Sequence, residues 1–162
     1  MCSQFIPTLV RPGENHLLLE FLSGDNDQRE NSLLMIKEFV SGKLHVMVYP
    51  DRAASGAAAA DAIAAEVRDL LKEKAEVNII FAAAPSQNDV LRELKSKDLE
   101  WNRINAFHMD EYVGLPANAP QSFGNFLSNA LFSHLPFKSV HLINGNTGDV
   151  RAECDRYAAL LE

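Results

Sequence analysis

Apolar and polar positions follow a repeating rhythm from about residue 43 onward: a short apolar run, a turn, then a longer stretch with apolar residues at helical spacing. Leu44 to Tyr49 is rich in β-forming residues and bounded by Gly42 and Pro50-Asp51, which predicts a strand. Ala53 to Glu73 predicts a long helix, alanine-dominated, with Ile63, Val67, Leu70 and Leu71 recurring on one side. Val77 to Ala82 is a nearly continuous apolar run, the pattern of a strand covered on both faces. A turn, Ala83 to Gln87, leads into a helix from Asn88 to Leu94, and Ile104 to Met109 predicts the third strand. After a loop with Gly114, Pro116 and Pro120, residues Gln121 to His134 carry an apolar stripe of Phe123, Phe126, Leu127, Leu131 and Phe132, and predict another helix. Val140 to Ile143 is the fourth predicted strand, and Asp149 to Leu161 the last helix.

Alternating strands and helices predict an α/β fold: three layers, with a mostly parallel, doubly wound, Rossmann-like sheet. The pattern divides the chain at about residue 34. Residues 1–34 form a variable leader, a short apolar patch amid polar residues, expected to be a peripheral helix or a disordered arm. Met35 stands as a more conventional start. Residues 35–162 carry the α/β pattern, and the chain stops inside an amphipathic helix where another strand is expected, so the fold reads as cut short and its sheet as leaving a partner surface.

The chain has 162 residues, with 15 Lys+Arg against 22 Asp+Glu, a net charge of -7. No cationic cluster is present to grip a phosphate backbone, which argues against nucleic acid. No apolar run reaches the ~20 residues of a membrane span, and the start lacks the pattern of a secretory signal, so a cytoplasmic location is the default expectation. Cys2 and Cys154 fit no metal or redox spacing and read as free thiols. The five histidines form no HxxxH or HExxH pattern, and no metal site is expected.

Two segments can carry chemistry. Asp110 and Glu111 stand side by side where the third strand gives way to a turn, and open α/β sheets bind ligands at such strand exits. In the functional reading Asp110 faces the crevice as a general base while Glu111 points elsewhere; in the bland one both are solvated or cap local N–H groups. The Ala83 to Asn88 turn opens a helix, whose unpaired N–H groups favour an anion. Ser86, Gln87 and Asn88 can contact a phosphate there, or Ser86 merely caps the helix. His108 reads as packed at the strand edge, His134 and His141 as structural. Trp101 with Arg103 gives a weak suggestion of stacking on a sugar. Asn144 to Asp149 is a turn and N-cap that needs no ligand.

Met109-Asp110-Glu111-Tyr112-Val113-Gly114-Leu115-Pro116 followed by Pro120-Gln121-Ser122-Phe123 resembles the glucosamine-6-phosphate deaminase (isomerase) family. Leu142-Ile143-Asn144-Gly145-Asn146 and Ala152 to Tyr157 match the same family in order and spacing, and the likeness runs from about Leu44 to Glu162. The related 6-phosphogluconolactonases typically read Asp-Glu-Arg at the acidic segment, whereas Tyr112 and Val113-Gly114-Leu115 follow the deaminase branch. The resemblance implies conversion of glucosamine 6-phosphate to fructose 6-phosphate and ammonia in amino-sugar metabolism, without a metal or organic cofactor. It implies that Asp110 moves a proton between sugar C2 and C1, that Ser86, Gln87, Asn88 and Glu111 contact the substrate, and that the partner is a small phosphorylated sugar. A homo-oligomer is a further expectation. Two departures stand out: Ala82-Ala83-Ala84-Pro85-Ser86-Gln87 replaces the usual Thr-Gly-rich phosphate turn, and the family's Gly-His-Ile-containing ring-opening motif has no counterpart in these 162 residues. Two other readings are a non-catalytic sugar-phosphate-sensing domain and a 6-phosphogluconolactonase-type hydrolase.

Overall fold

The computed structural model describes residues 35–161; the leader expected over residues 1–34 lies outside them. A long alanine-rich helix, α1 (Arg52–Glu73), forms because alanine loses no side-chain entropy on joining a helix. Asp51 caps its start by accepting the Ala54 N–H at 2.8 Å. At its far end the Arg103 guanidinium donates to the carbonyls of Leu71, Lys74 and Ala75, at 2.6 to 2.9 Å, groups that a helix terminus leaves without partners. Trp101 is buried and packs edge-on against Phe137 at 5.1 Å. The suggestion that Trp101 and Arg103 hold a sugar is therefore corrected: one fills the core and the other closes α1. Gly56 lets the short helix α2 (Asn88–Leu94) lie against α1, since a Cβ there would stand 2.6 Å from Asp89 Cβ.

Three parallel strands, β3 (Val77–Phe81), β4 (Ile104–His108) and β5 (Ser139–His141), form one sheet in that order. Strand alternation puts Val77, Ile79, Phe81, Ile104, Ala106 and His108 on one face. That face meets α1, α2 and α3 (Phe123–Ala130) in a core containing Ala60, Leu91, Leu94 and Leu127. Truncating Leu94 or Leu127 to alanine would cost about 2–5 kcal/mol. The other face carries Phe107, against which α4 (Val150–Leu161) sets the Tyr157 ring at 6.1 Å. Helices thus lie on both faces, giving the three layers the sequence pattern predicts.

The sheet is smaller than expected. Leu44 to Tyr49, expected to open the parallel sheet, forms β2 (Leu44–Val48), which pairs antiparallel with β1 (Lys37–Ser41) in a separate hairpin. The cause is local: Gly42, at φ 63, and Lys43 make a two-residue turn that reverses the chain before β2. The helix expected over Gln121 to His134 is also shorter. Ser122 caps α3 at Asn125 N–H, and Leu131 leaves helical geometry at ψ -55 with φ -143. Phe132 then turns into the core, edge-on to Phe81 at 5.3 Å and to Phe137 at 5.6 Å. Such aromatic pairs stabilise by about 0.5–1.5 kcal/mol beyond their buried area, enough to outweigh one more helical turn.

Candidate functional site

Parallel pairing decides what lies at the carboxyl edge of the sheet. Phe81 and His108 are register partners at the ends of β3 and β4, and the Met109 N–H still donates to Phe81 O at 3.0 Å. Asp110 follows one residue later and is exposed. From β3 the chain runs through Ala82–Ala84 into a single 3-10 turn, Pro85–Gln87, and then α2. Asp110 and the Ser86-Gln87-Asn88 turn therefore leave neighbouring strands on the same edge of the sheet. Ser86 and Asn88 are exposed and Gln87 half-buried. Arg52 joins them unannounced by the sequence: its Nη2 donates to Pro85 O at 3.0 Å and its Nε to Asp89 Oδ2 at 2.9 Å. The salt links from Arg52 and Arg92 hold the Asp89 carboxyl below the usual carboxylate range.

Glu111 is held by four hydrogen bonds. Its Oε1 accepts the N–H groups of Tyr112 at 2.9 Å and Phe123 at 3.0 Å, and its Oε2 accepts Ser122 Oγ–H at 2.7 Å and Gly124 N–H at 2.9 Å. Two oxygens with four donors are fully occupied. Glu111, expected to contact the substrate, lines a cavity that opens beside it while its acceptor sites serve the start of α3, where negative charge is favoured. Burial opposes ionisation, but these hydrogen bonds outweigh it and hold the Glu111 pKa below its ordinary value.

His108, expected to pack at the strand edge, is fully buried at the last residue of β4, the middle strand. Its Nδ1 accepts the Ile143 N–H at 3.2 Å, so the neutral ring carries its proton on Nε2. That Nε2 has no hydrogen-bond partner and stands 3.8 Å from Glu111 Oε2. Burial lowers the His108 pKa, against the opposing pull of Glu111 and of the Asp110 backbone and carboxylate. His134 and His141 are engaged with Asn129 O and Ser139 Oγ at 2.8 Å each, and His141 stacks on Phe107 at 4.6 Å.

Beside Glu111 opens a cavity of about 270 Å³, lined by residues including Tyr112, Pro116, Asn125, Leu142 and Asn146; Asp110 and the Ser86 turn are not among its walls. Gly145 is required there, since a Cβ would fall 2.0 Å from Tyr112 O, and the Gly114 N–H donates to Gly145 O at 2.7 Å. The 144–149 turn is closed from within. Asp149 accepts the Ala152 N–H at 2.9 Å, and Glu153 accepts the Asn144 N–H at 2.7 Å while paired with Arg156. The Arg156 guanidinium and the Asn144 amide together lower the Glu153 pKa to about 2. Among the described residues no group of three or more His, Cys, Asp or Glu side chains is placed to hold a metal ion. Among those residues, too, no helix is long and apolar enough to cross a membrane.

Comparison with known proteins supplies the deciding observation. The family described as glucosamine-6-phosphate isomerases/6-phosphogluconolactonase matches residues 50–162. The chain belongs to this family. A glucosamine-6-phosphate deaminase of Bacillus cereus (strain B4264) is 32% identical over 95 residues, which are 59% of this chain and 36% of the relative. Among solved structures, a monomeric glucosamine-6-phosphate deaminase superposes with a TM-score of 0.59 at 26% identity, covering 68% of this chain and 47% of its own. A 6-phosphogluconolactonase from Shewanella baltica OS155 shares the fold, with a TM-score of 0.63 at 15% identity over 70% of this chain and 49% of that one. The chain spans about a third of the curated relatives it matches and about half of the structural ones.

Proposed function

We propose that this chain serves the isomerisation and deamination of glucosamine 6-phosphate, with Asp110 moving a proton between sugar C2 and C1. The observation that carries the reading is the exposed Asp110, two residues past β4, at the same sheet edge as the turn that follows β3 and within a segment that resembles the deaminase branch. An aldose–ketose shift needs one base that takes a proton from one carbon and returns it to the next on the same face of the intermediate. A carboxylate at a strand exit can reach both carbons through small side-chain motions while its backbone stays in the sheet. Stabilisation of the charge that develops on the intermediate must come from elsewhere in the site.

Ser86, Gln87 and Asn88 are the proposed phosphate contacts, through the Ser86 hydroxyl and the Gln87 and Asn88 side-chain amides, since the Gln87 N–H donates to Ala84 O at 2.9 Å and the Asn88 N–H to Pro85 O. Arg52 adds positive charge against the same turn through its bond to Pro85 O. Titration calorimetry with glucosamine 6-phosphate, fructose 6-phosphate and glucosamine tests this. Binding of both phosphosugars and none of glucosamine, weakened by Arg52→Ala, supports the reading; equal binding of all three, or of none, refutes it. Hydrolysis of 6-phosphogluconolactone, assayed in parallel, would move the assignment to the lactonase branch of the family.

A further inference from the structure

The β4–β5 ladder stops at the Phe107–His141 pair, yet the strand ends beyond it are tied on both faces. On one face the Ile143 N–H donates to His108 Nδ1 at 3.2 Å. On the other, the Tyr157 phenol oxygen accepts the His108 N–H at 2.9 Å and lies 2.8 Å from His108 O and 3.1 Å from His141 O. A phenol has one proton to donate and lone pairs to accept, so it can satisfy the amide and one carbonyl at a time. The hydroxyl thus occupies the place of a main-chain rung. Tyr157 is also the one buried side chain of α4 among the described residues, 49 positions from the amide it binds. Burial raises the pKa of the phenol, which keeps its proton on at neutral pH.

We infer that Tyr157 is a positioning residue for Asp110: its hydroxyl fixes the carboxyl end of β4, and with it the reach of the carboxylate two residues on. The inference rests on the proposed proton transfer by Asp110. The hydroxyl touches no substrate; it acts by denying His108 the freedom to peel from β5. A displacement of about 1 Å in a reacting group costs up to about a hundredfold in rate. The Met109 N–H still ties β4 to Phe81 O on the β3 side, and the phenol at His108 supplies the tie on the β5 side before Asp110.

Tyr157→Phe removes the oxygen and keeps the ring. The test is exchange of a C1 proton of fructose 6-phosphate in D2O, followed by NMR on the 162-residue chain, beside residue-resolved amide hydrogen exchange. The expected result is a fall in exchange turnover of about ten- to a hundredfold with KM unchanged, and about tenfold faster amide exchange at His108 with Phe81 and Ile104 unaltered. Leu94→Val, a core change remote from the phenol, should lower the melting midpoint but leave turnover intact. If Tyr157→Phe turns over like wild type, or if its His108 amide stays protected, the inference is overturned while the role of Asp110 stands. If wild type and Asp110→Asn are alike, the proposed proton transfer fails instead, and the His108 amide alone then decides whether the phenol pins the strand.

Discussion

Replacing Glu111 by glutamine probes the junction between β4 and α3 with almost no change in volume. The native carboxylate accepts four hydrogen bonds, two per oxygen, from Tyr112, Phe123, Ser122 and Gly124. Glutamine keeps one oxygen and presents an NH2 group in place of the other. Two of the four donors then face a donor. The side chain of Glu111 is 7% exposed, so water is poorly placed to rescue them. Stranding a buried donor costs about 1–3 kcal/mol. Ser122 can rotate its hydroxyl away, which lessens the loss, and the net destabilisation at neutral pH is about 3 kcal/mol. For a chain of this size that lowers the thermal midpoint by about 10 °C. The sign of the pH effect follows from the depressed pKa. Stability supplied by a carboxyl with lowered folded pKa is fully present above its unfolded value, near 4.5, and is lost as pH falls through the folded value. The gap between wild type and Glu111→Gln should therefore be widest at pH 6–7 (roughly two units above that carboxyl range) and shrink in acid. Urea denaturation across that range measures it. A variant within about 0.5 kcal/mol of wild type at neutral pH, or a gap that grows in acid, would refute the argument.

Other outcomes follow from the same geometry. Gly145→Ala should destabilise the chain by about 1–3 kcal/mol, because its Cβ would collide with Tyr112 O and break the Gly114–Gly145 bond; chemical denaturation reads it. Glu153→Gln should speed amide exchange at Asn144 at neutral pH, and in wild type the same amide should lose protection only as pH falls below 4.5 toward 2, since the Glu153 contribution is present above the unfolded pKa and lost through the folded one. Gly56→Ala should loosen the α1–α2 contact at Asp89 and lower the melting midpoint, despite the better helix propensity of alanine. Ammonia release from glucosamine 6-phosphate by the 162-residue chain should stay near background even where C1 exchange is measurable; ready release in a coupled assay would show that other residues open the ring.

Sequence periodicity reached β3, β4 and α1 closely because their signals are continuous: unbroken apolar runs covered on both faces, and 22 helical residues begun by Asp51. It placed Leu44 to Val48 in the wrong sheet, since alternation of strand and helix cannot reveal that Gly42 and Lys43 reverse the chain. Lys37–Ser41 passed unnoticed, with Phe39 and Val40 the only apolar residues in a short polar stretch. Within the candidate site, Asp110 was legible as an acid at a strand exit. The work done by Glu111 was not, because its donors lie up to 13 positions away and three of the four are backbone N–H groups that any residue type but proline supplies. Arg52 and Tyr157 were hidden for the same reason, meeting their partners 33 and 49 positions along the chain. Local pattern fixes elements; which polar groups meet is decided by packing.

The proton-transfer role of Asp110 faces its most direct test in Asp110→Asn, compared with wild type for deuterium incorporation at C1 of fructose 6-phosphate in D2O. The residue is exposed, so folding should be unaffected, and loss of the base should slow incorporation by about a hundredfold or more. Incorporation at the wild-type rate in a folded Asp110→Asn protein would contradict the account.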